Sequence, residues 1–204
     1  MSEGEKINAP LMADEPLADI VWVPYLAIEF VEELLRGGES SVWEWGSGCS
    51  TRFFARRAAA VISIECNPRW HQRVTGAVAE YPHCIVKLIE EGRKSLGNDP
   101  RNPKHYYEQL REKQNFRRYA SAIDEFGQFD LIVIDGMARP SCWKHGYTHV
   151  KLGGWLLLDN TDRGDLYINR FTRPFFQGWE ERIFFGPGPF VKKPWEARAW
   201  RKPG

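Results

Sequence analysis

Cysteine is scarce in this chain. Four occur in 204 residues, at Cys49, Cys66, Cys84 and Cys142, and none form a C-x-x-C pair. Their spacing suits neither a zinc site nor a disulfide framework, so free thiols in a reducing compartment are expected. No stretch approaches the ~18 apolar residues of a membrane span. Residues 1–15 are polar and mildly acidic, without the apolar core of a signal peptide. Neither charge is in excess, with 28 Lys and Arg against 27 Asp and Glu. That balance excludes a bulk pull toward nucleic acid or a membrane surface. Internal repeats and low-complexity tracts are missing as well. These absences predict a soluble, cytoplasmic protein with neither a nucleic acid nor a membrane as partner.

What is present suffices for a full core. The length suits one domain, and 43% hydrophobic residues with nine Trp and twelve Phe exclude disorder. Residues 1–24 read as an N-terminal arm, broken at Pro10 and Pro16, before a single domain over 25–204. Tyr25–Leu35 has apolar residues at helical spacing, and Gly37-Gly38 ends it. Strands are expected at Ser41–Trp45, 60–64, 84–89, Phe129–Ile134 and 155–158. Helices are expected from Arg52 to Ala60, over 68–80 with Asn67 as N-cap and Pro68 first, and over 141–150. Residues 91–126 are the least regular part. They read as a substrate-cover insertion, with a charged helical segment over 106–123. Phe129–Ile134 is almost wholly apolar, as a parallel strand buried on both faces should be. Residues 179–185 and 197–201 alternate as two late strands around Gly186-Pro187-Gly188-Pro189. The alternation of strands and helices predicts an α/β, Rossmann-like doubly wound sheet, mostly parallel, with right-handed crossovers. Ligands then sit beyond the carboxyl ends of the strands.

Those strand ends are acidic. Val42-Trp43-Glu44-Trp45 runs into Gly46-Ser47-Gly48-Cys49-Ser50-Thr51 and a helix. The glycines allow a sharp turn and close approach to a ligand, and the helix start offers unpaired N–H groups. The second strand ends in Glu65, whose two oxygens can take both hydroxyls of a ribose. Asp135-Gly136 ends the central strand and Asp159-Asn160 the fifth. Together they describe a nucleoside-cofactor site.

With these residues on one rim, the chain resembles a class I S-adenosylmethionine-dependent methyltransferase. The resemblance spans roughly residues 25–201 and rests on VWEWGSGCST, VISIECNPRW, FDLIVIDG and GGWLLLDN in that order. GSG-S-T with DGMAR and LLDNTDR further resembles small bacterial methyltransferases of unassigned substrate. The resemblance implies a seven-stranded sheet ending in an antiparallel hairpin, with S-adenosyl-L-methionine as cofactor. It implies that Glu44, Gly46, Ser47, Gly48, Ser50 and Thr51 form the first cofactor motif. Ser50 stands where many members have a third glycine. Glu65 would bind the ribose hydroxyls, Asn67 would lie near the adenine, and Asp135 and Gly136 would lie near the methionine part. With no basic groove to mark a nucleic-acid substrate, the acceptor expected is a small molecule or a sugar, methylated at oxygen; the oligomeric state stays open.

A partial resemblance to cation-dependent O-methyltransferases, such as catechol O-methyltransferase, concerns Asp135, Asp159 and Asn160. They stand where those enzymes bind a divalent metal, and two carboxylates with an amide oxygen suit Mg2+ or Ca2+. Those enzymes place a lysine base three positions after the first Asp. Here that position is Ala138, followed by Arg139.

Asp135, Arg139 and His145 are the catalytic candidates. Arg139 can fork onto a substrate carboxylate or phosphate, or form a structural ion pair. His145 and His149 share a helix face, and either can serve as a base or stand solvated. Asp162-Arg163 can pair or shape the acceptor pocket. The Arg111–Arg118 cluster reads as a solvated face, Cys142 as packing, and Trp179, Trp195 and Trp200 as packing for the late hairpin. Two other readings stay in play. A nicotinamide-dependent oxidoreductase would want G-x-G-x-x-G, and position 51 is Thr. A non-catalytic binding protein of the same fold would keep the cofactor residues without the chemistry.

Overall fold

The computed structural model describes residues 17–90, 92–93, 108–109, 114–162, 173–189 and 191–204. The chain runs α1 (Tyr25–Leu35), β1 (Ser41–Trp45), α2 (Cys49–Ala55), β2 (Ala60–Glu65), α3 (Pro68–Ala77), β3 (Cys84–Leu88), α4 (Arg117–Ala120), β4 (Phe129–Ile134), α5 (Arg139–His149), β5 (Val150–Asp159), β6 (Glu180–Gly188) and β7 (Val191–Arg201). These seven strands make one sheet in the order β3-β2-β1-β4-β5-β7-β6. The first five are parallel, and β7 runs antiparallel to both β5 and β6. This is the Rossmann-like sheet with a terminal hairpin expected above. Gly92–Arg93, Glu108–Gln109 and Gln114–Asn115 pair into a small separate sheet.

Period-two alternation divides the core between two faces. Val42, Val61, Val133, Leu157 and Ala199 meet Phe30, Val31, Phe53 and Phe54 of α1 and α2. Trp43, Trp45, Ile132, Leu156 and Trp200 meet Tyr119, Ile123 and Trp143 on the α4 and α5 side. Strands buried on both sides need continuous apolar sequence, which is why β4 was legible. At the amino end, Asp130 accepts from the Ser41 N–H and hydroxyl, each at 2.7 Å, and from Lys151 Nζ at 2.8 Å. One carboxylate thereby registers β1, β4 and β5.

Several elements differ from the sequence expectation. α2 opens at Cys49 and stops at Ala55; just beyond it Arg57 lies over the Phe53 ring at 3.8 Å and bonds Asp19 at 3.0 Å. β5 begins directly after α5 and is ten residues long. Gly153, at φ 75°, and Gly154 absorb the register shift that this early start requires. Gly186 and Gly188 lie within β6 rather than in the turn. The described part of 106–123 is helical only from Arg117, where Asn115 Oδ1 accepts the Arg117 N–H at 2.9 Å and starts a new helix. Residues 111–113 of the basic cluster lie outside the described residues, as do 1–16 and Arg163. Within the expected arm, residues 17–24 are part of the packed domain. Leu17, Val21 and Val23 are buried, and the Leu17 carbonyl accepts from Arg52 Nη1 at 2.7 Å.

Asn67 caps α3, its Oδ1 accepting the Arg69 and Trp70 N–H groups at 3.0 and 3.1 Å. Asn67→Ala should cost about 1 kcal/mol and lower the thermal midpoint by roughly 2–4 °C. Asn67→Asp should restore it. An unchanged midpoint for the alanine variant would show that the cap is dispensable.

Candidate functional site

Two turns cross at the carboxyl end of the sheet. β1 and β4 are neighbours, so Gly46 and Gly136 meet just beyond their ends. Gly46 has φ 98°, and a Cβ there would lie 2.7 Å from the Gly136 backbone. A Cβ on Gly136 would lie 2.0 Å from Tyr119 Oη and 2.9 Å from the Gly46 nitrogen. Neither position admits another residue without displacing backbone or a buried phenol. Tyr119 is fully buried, and burial pushes its pKa well up. Sequence reasoning missed Tyr119; its only signal was apolar spacing with Phe116 and Ile123.

Glu44 lies beneath this crossing, with its carboxylate hydrogen-bonded to Ser50, Thr51 and Ser63. It is fully buried, its side chain turned toward α2. Ser50 Oγ donates to one carboxylate oxygen, and Thr51 Oγ1 and Ser63 Oγ donate to the other at 2.5 and 2.6 Å. Thr51 Oγ1 also accepts the Gly48 N–H at 2.9 Å. Glu44, Ser50 and Thr51, read above as cofactor-binding, thus brace the turn from inside. Burial outweighs the three hydroxyl hydrogen bonds and raises the Glu44 pKa to about 7.

Glu65 joins the turns that follow β1 and β2. Its Oε1 accepts the Cys66 and Asn67 N–H groups, each at 2.8 Å, and its Oε2 accepts Ser47 Oγ at 2.9 Å. Trp70 Nε1 donates to the Ser47 carbonyl at 2.6 Å, and the indole flanks Gly48. Gly46, Ser47, Gly48, Glu65, Asn67, Asp135 and Gly136 are thus brought to one rim.

Arg139, the first residue of α5, is a clamp. Its Nε donates to the Gly136 carbonyl at 3.0 Å and its Nη1 to the Asp159 carbonyl at 2.6 Å. Its Nη2 donates to the Asp135 carbonyl and to Asp135 Oδ1, each at 2.8 Å. The side chain is buried and ties the end of β4 to the end of β5. Of the two roles left open for Arg139, this geometry is the structural one. Ala138 and Asn160, at φ 46° and 56°, flank the clamp in the left-handed region. Such backbone strain clusters where surrounding contacts over-determine it.

The clamp also decides the metal question. Asp135, Asp159 and Asn160 do converge, but the Arg139 guanidinium stands between the two carboxylates, 3.8 Å from Asp159 Oδ2. Trp195 Nε1 holds Asp159 Oδ1 at 2.8 Å. Burial, and then the nearby Asp135 charge, raise the Asp159 pKa above the ordinary carboxylate range. Among the described residues, no group of three or more His, Cys, Asp or Glu is placed to hold a metal ion. The residues present do not fit Mg2+ or Ca2+, and the metal expectation is withdrawn.

His145 lies away from this rim. α5 runs back along the sheet, and His145 Nδ1 contacts Asp124 at 2.8 Å, close to the start of β4. His149 Nδ1 lies 2.9 Å from the Gly127 carbonyl. Neither reaches the strand ends, so His145 is withdrawn as a base. What does adjoin Asp135 is a cavity of about 380 Å³, lined by Trp22, Asp135, Asp159, Asn160, Asp162, Lys193, Pro194 and Trp195. Trp22 and Lys193 were not singled out by sequence, since neither lies in a motif.

Gly136→Ala should cost ~1–3 kcal/mol through overpacking, whereas Gly37→Ala, with nothing within 4 Å of its Cβ, should not. Thermal melts of both variants measure this, and equal midpoints would refute the tight crossing. The Glu44 carboxyl binds its proton more tightly in the folded than in the unfolded state. Stability contributed this way is full below 4.5 and is lost as pH rises toward about 7. Glu44→Gln should flatten that decline, leaving only the part that Asp159, also raised by burial, contributes. Denaturant midpoints across this range measure it; a slope unaltered in the variant would show that Glu44 titrates normally.

As a sequence, the chain matches no family model and no curated protein. Solved structures do match. Cofactor-bound Rv0187 from MTB is 16% identical with a TM-score of 0.61, over 94% of this chain and 85% of that one. An O-methyltransferase from Bacillus cereus in complex with SAH is 15% identical with a TM-score of 0.58, over 85% and 80%. The N-methyltransferase NodS from Bradyrhizobium japonicum is 16% identical with a TM-score of 0.52, over 86% and 96%. At these identities the likeness is one of architecture, and it is clear: the chain has the fold of the S-adenosylmethionine-dependent methyltransferases.

Proposed function

We propose that the protein is an enzyme that transfers a methyl group from S-adenosyl-L-methionine to a hydroxyl of a small-molecule or sugar acceptor. The observation that carries this reading is the Gly46–Gly136 crossing, with Glu65 on one side and the 380 Å³ cavity at Asp135 on the other. The residues fit the cofactor. The glycine crossing leaves backbone without side chains, and Glu65 presents a carboxylate fixed by two N–H groups. Glu65 would hold the ribose hydroxyls, Asn67 would lie by the adenine, and Gly46, Ser47 and Gly48 would face the amino-acid end. The cofactor supplies an electrophilic methyl on a sulfonium. The chain's own part is alignment and exclusion of water. Trp22, Pro194 and Trp195 offer flat walls for a ring, while Asp135 and Asn160 supply acceptors for its hydroxyls.

Calorimetric titration with S-adenosylhomocysteine tests this. Binding near 1 μM, about −8 kcal/mol, is expected, with a large loss in Glu65→Ala. EDTA should leave the affinity unchanged, because Arg139 occupies the metal position. Full affinity in Glu65→Ala would remove the ribose assignment. A protein stabilised by a nicotinamide and not by S-adenosylhomocysteine would be the oxidoreductase instead.

A further inference from the structure

Glu65 has less room for a ribose than its place at the strand end suggests. A carboxylate accepts hydrogen bonds at about four places, two on each oxygen. In Glu65 the chain itself takes three of them. Oε1 accepts the Cys66 and Asn67 N–H groups, each at 2.8 Å, and Oε2 accepts the Ser47 hydroxyl at 2.9 Å. One place is left, on Oε2, whereas a ribose diol brings two donors. The N–H groups belong to the backbone that enters α3, where Asn67 is also the cap. The Ser47 hydroxyl is the donor that can leave. We propose that it stands in for one ribose hydroxyl and is displaced from Glu65 when a nucleoside binds. Ser47 then sets the affinity for the ribose, a role that rests on Glu65 as the ribose carboxylate.

The surroundings of Ser47 confine this displacement to its side chain. The Gly46 N–H donates to the Ile64 carbonyl at 3.0 Å, Trp70 Nε1 to the Ser47 carbonyl at 2.6 Å, and the Gly48 N–H to Thr51 Oγ1 at 2.9 Å. The turn is therefore pinned before, at and after Ser47. A serine side chain has three staggered positions, and passing between them breaks no backbone bond. Among the described residues, Glu65 Oε2 is the one partner of the Ser47 hydroxyl, so rotation breaks a single hydrogen bond. Both side chains are buried against each other at the rim, and turning the hydroxyl away opens Oε2.

The bond from Ser47 to Glu65 stabilises the folded chain, yet it must be given up for the ribose. Removing the hydroxyl should then act with opposite signs on stability and on affinity. A serine that only braced the turn would lose both together.

Calorimetry on the wild type and Ser47→Ala tests this, with S-adenosylhomocysteine and its 2′-deoxy and 3′-deoxy analogues as probes. Ser47→Ala should bind S-adenosylhomocysteine about tenfold more tightly, as the loss of a competing charge-assisted hydrogen bond implies. Its thermal midpoint without the probe should fall. For at least one deoxy analogue the gain should shrink below about threefold, because a single hydroxyl fits beside Ser47. Equal or weaker binding by Ser47→Ala, or the same gain with all three probes, would overturn the displacement. Glu65→Ala distinguishes the two possible failures. Full affinity in Glu65→Ala removes the ribose assignment, and the role of Ser47 with it. Weak binding by Glu65→Ala, with no gain in Ser47→Ala, overturns the displacement alone.

Discussion

The carboxyl end of the sheet depends on the contact between Gly46 and Gly136. The two turns approach so closely that a single methyl on either would strike backbone or the Tyr119 hydroxyl. Everything that shapes the rim follows from this approach. It brings Asp135 beside the glycine loop, which Ser47 joins to Glu65. It also requires Tyr119 to close the gap from the other face, which gives the irregular segment before β4 a structural purpose. Trp45 completes the seal, its indole N–H bonded to the Tyr119 carbonyl at 3.0 Å.

Beneath and beside the crossing lie buried carboxyls with different partners. Glu44 is held by hydroxyls alone, whereas Asp159 faces Trp195, Arg139 and the neighbouring Asp135. Both are raised because burial exceeds what their partners return. Such groups are costly if half-satisfied, and here each has fixed donors. Their arrangement makes the rim rigid from inside, so the outer residues can be spared for a ligand.

Arg139 shows how equal residues at equal positions can do different work. Asp135, Asp159 and Asn160 stand where a divalent cation would be expected from resemblance alone. The clamp fills that place with a cation belonging to the chain, at fixed distance from both strands. A guanidinium neutralises the acids but, unlike a metal, offers no open coordination position. In the methyl transfer proposed above, orienting an acceptor hydroxyl would fall to the cavity's own acids and amide.

The sequence by itself determined the sheet, its central strands and the rim. Apolar runs ending in Glu44, Glu65, Asp135 and Asp159 are local patterns, and parallel strands bring their ends together by topology. Asn67 was legible as a cap for the same reason, since capping is a matter of adjacent residues. The inward turn of Glu44 and the withdrawal of His145 were decided only in three dimensions. The first depends on Ser63 lying beside β1, the second on Asp124 lying across α5. Arg139 was open between two roles until α5 set its guanidinium between β4 and β5. Trp22, Tyr119 and Lys193 carried no motif, because their positions come from distant segments packed onto the rim. Neighbours along the chain can be read from residue order; partners brought by packing depend on which faces the whole core buries.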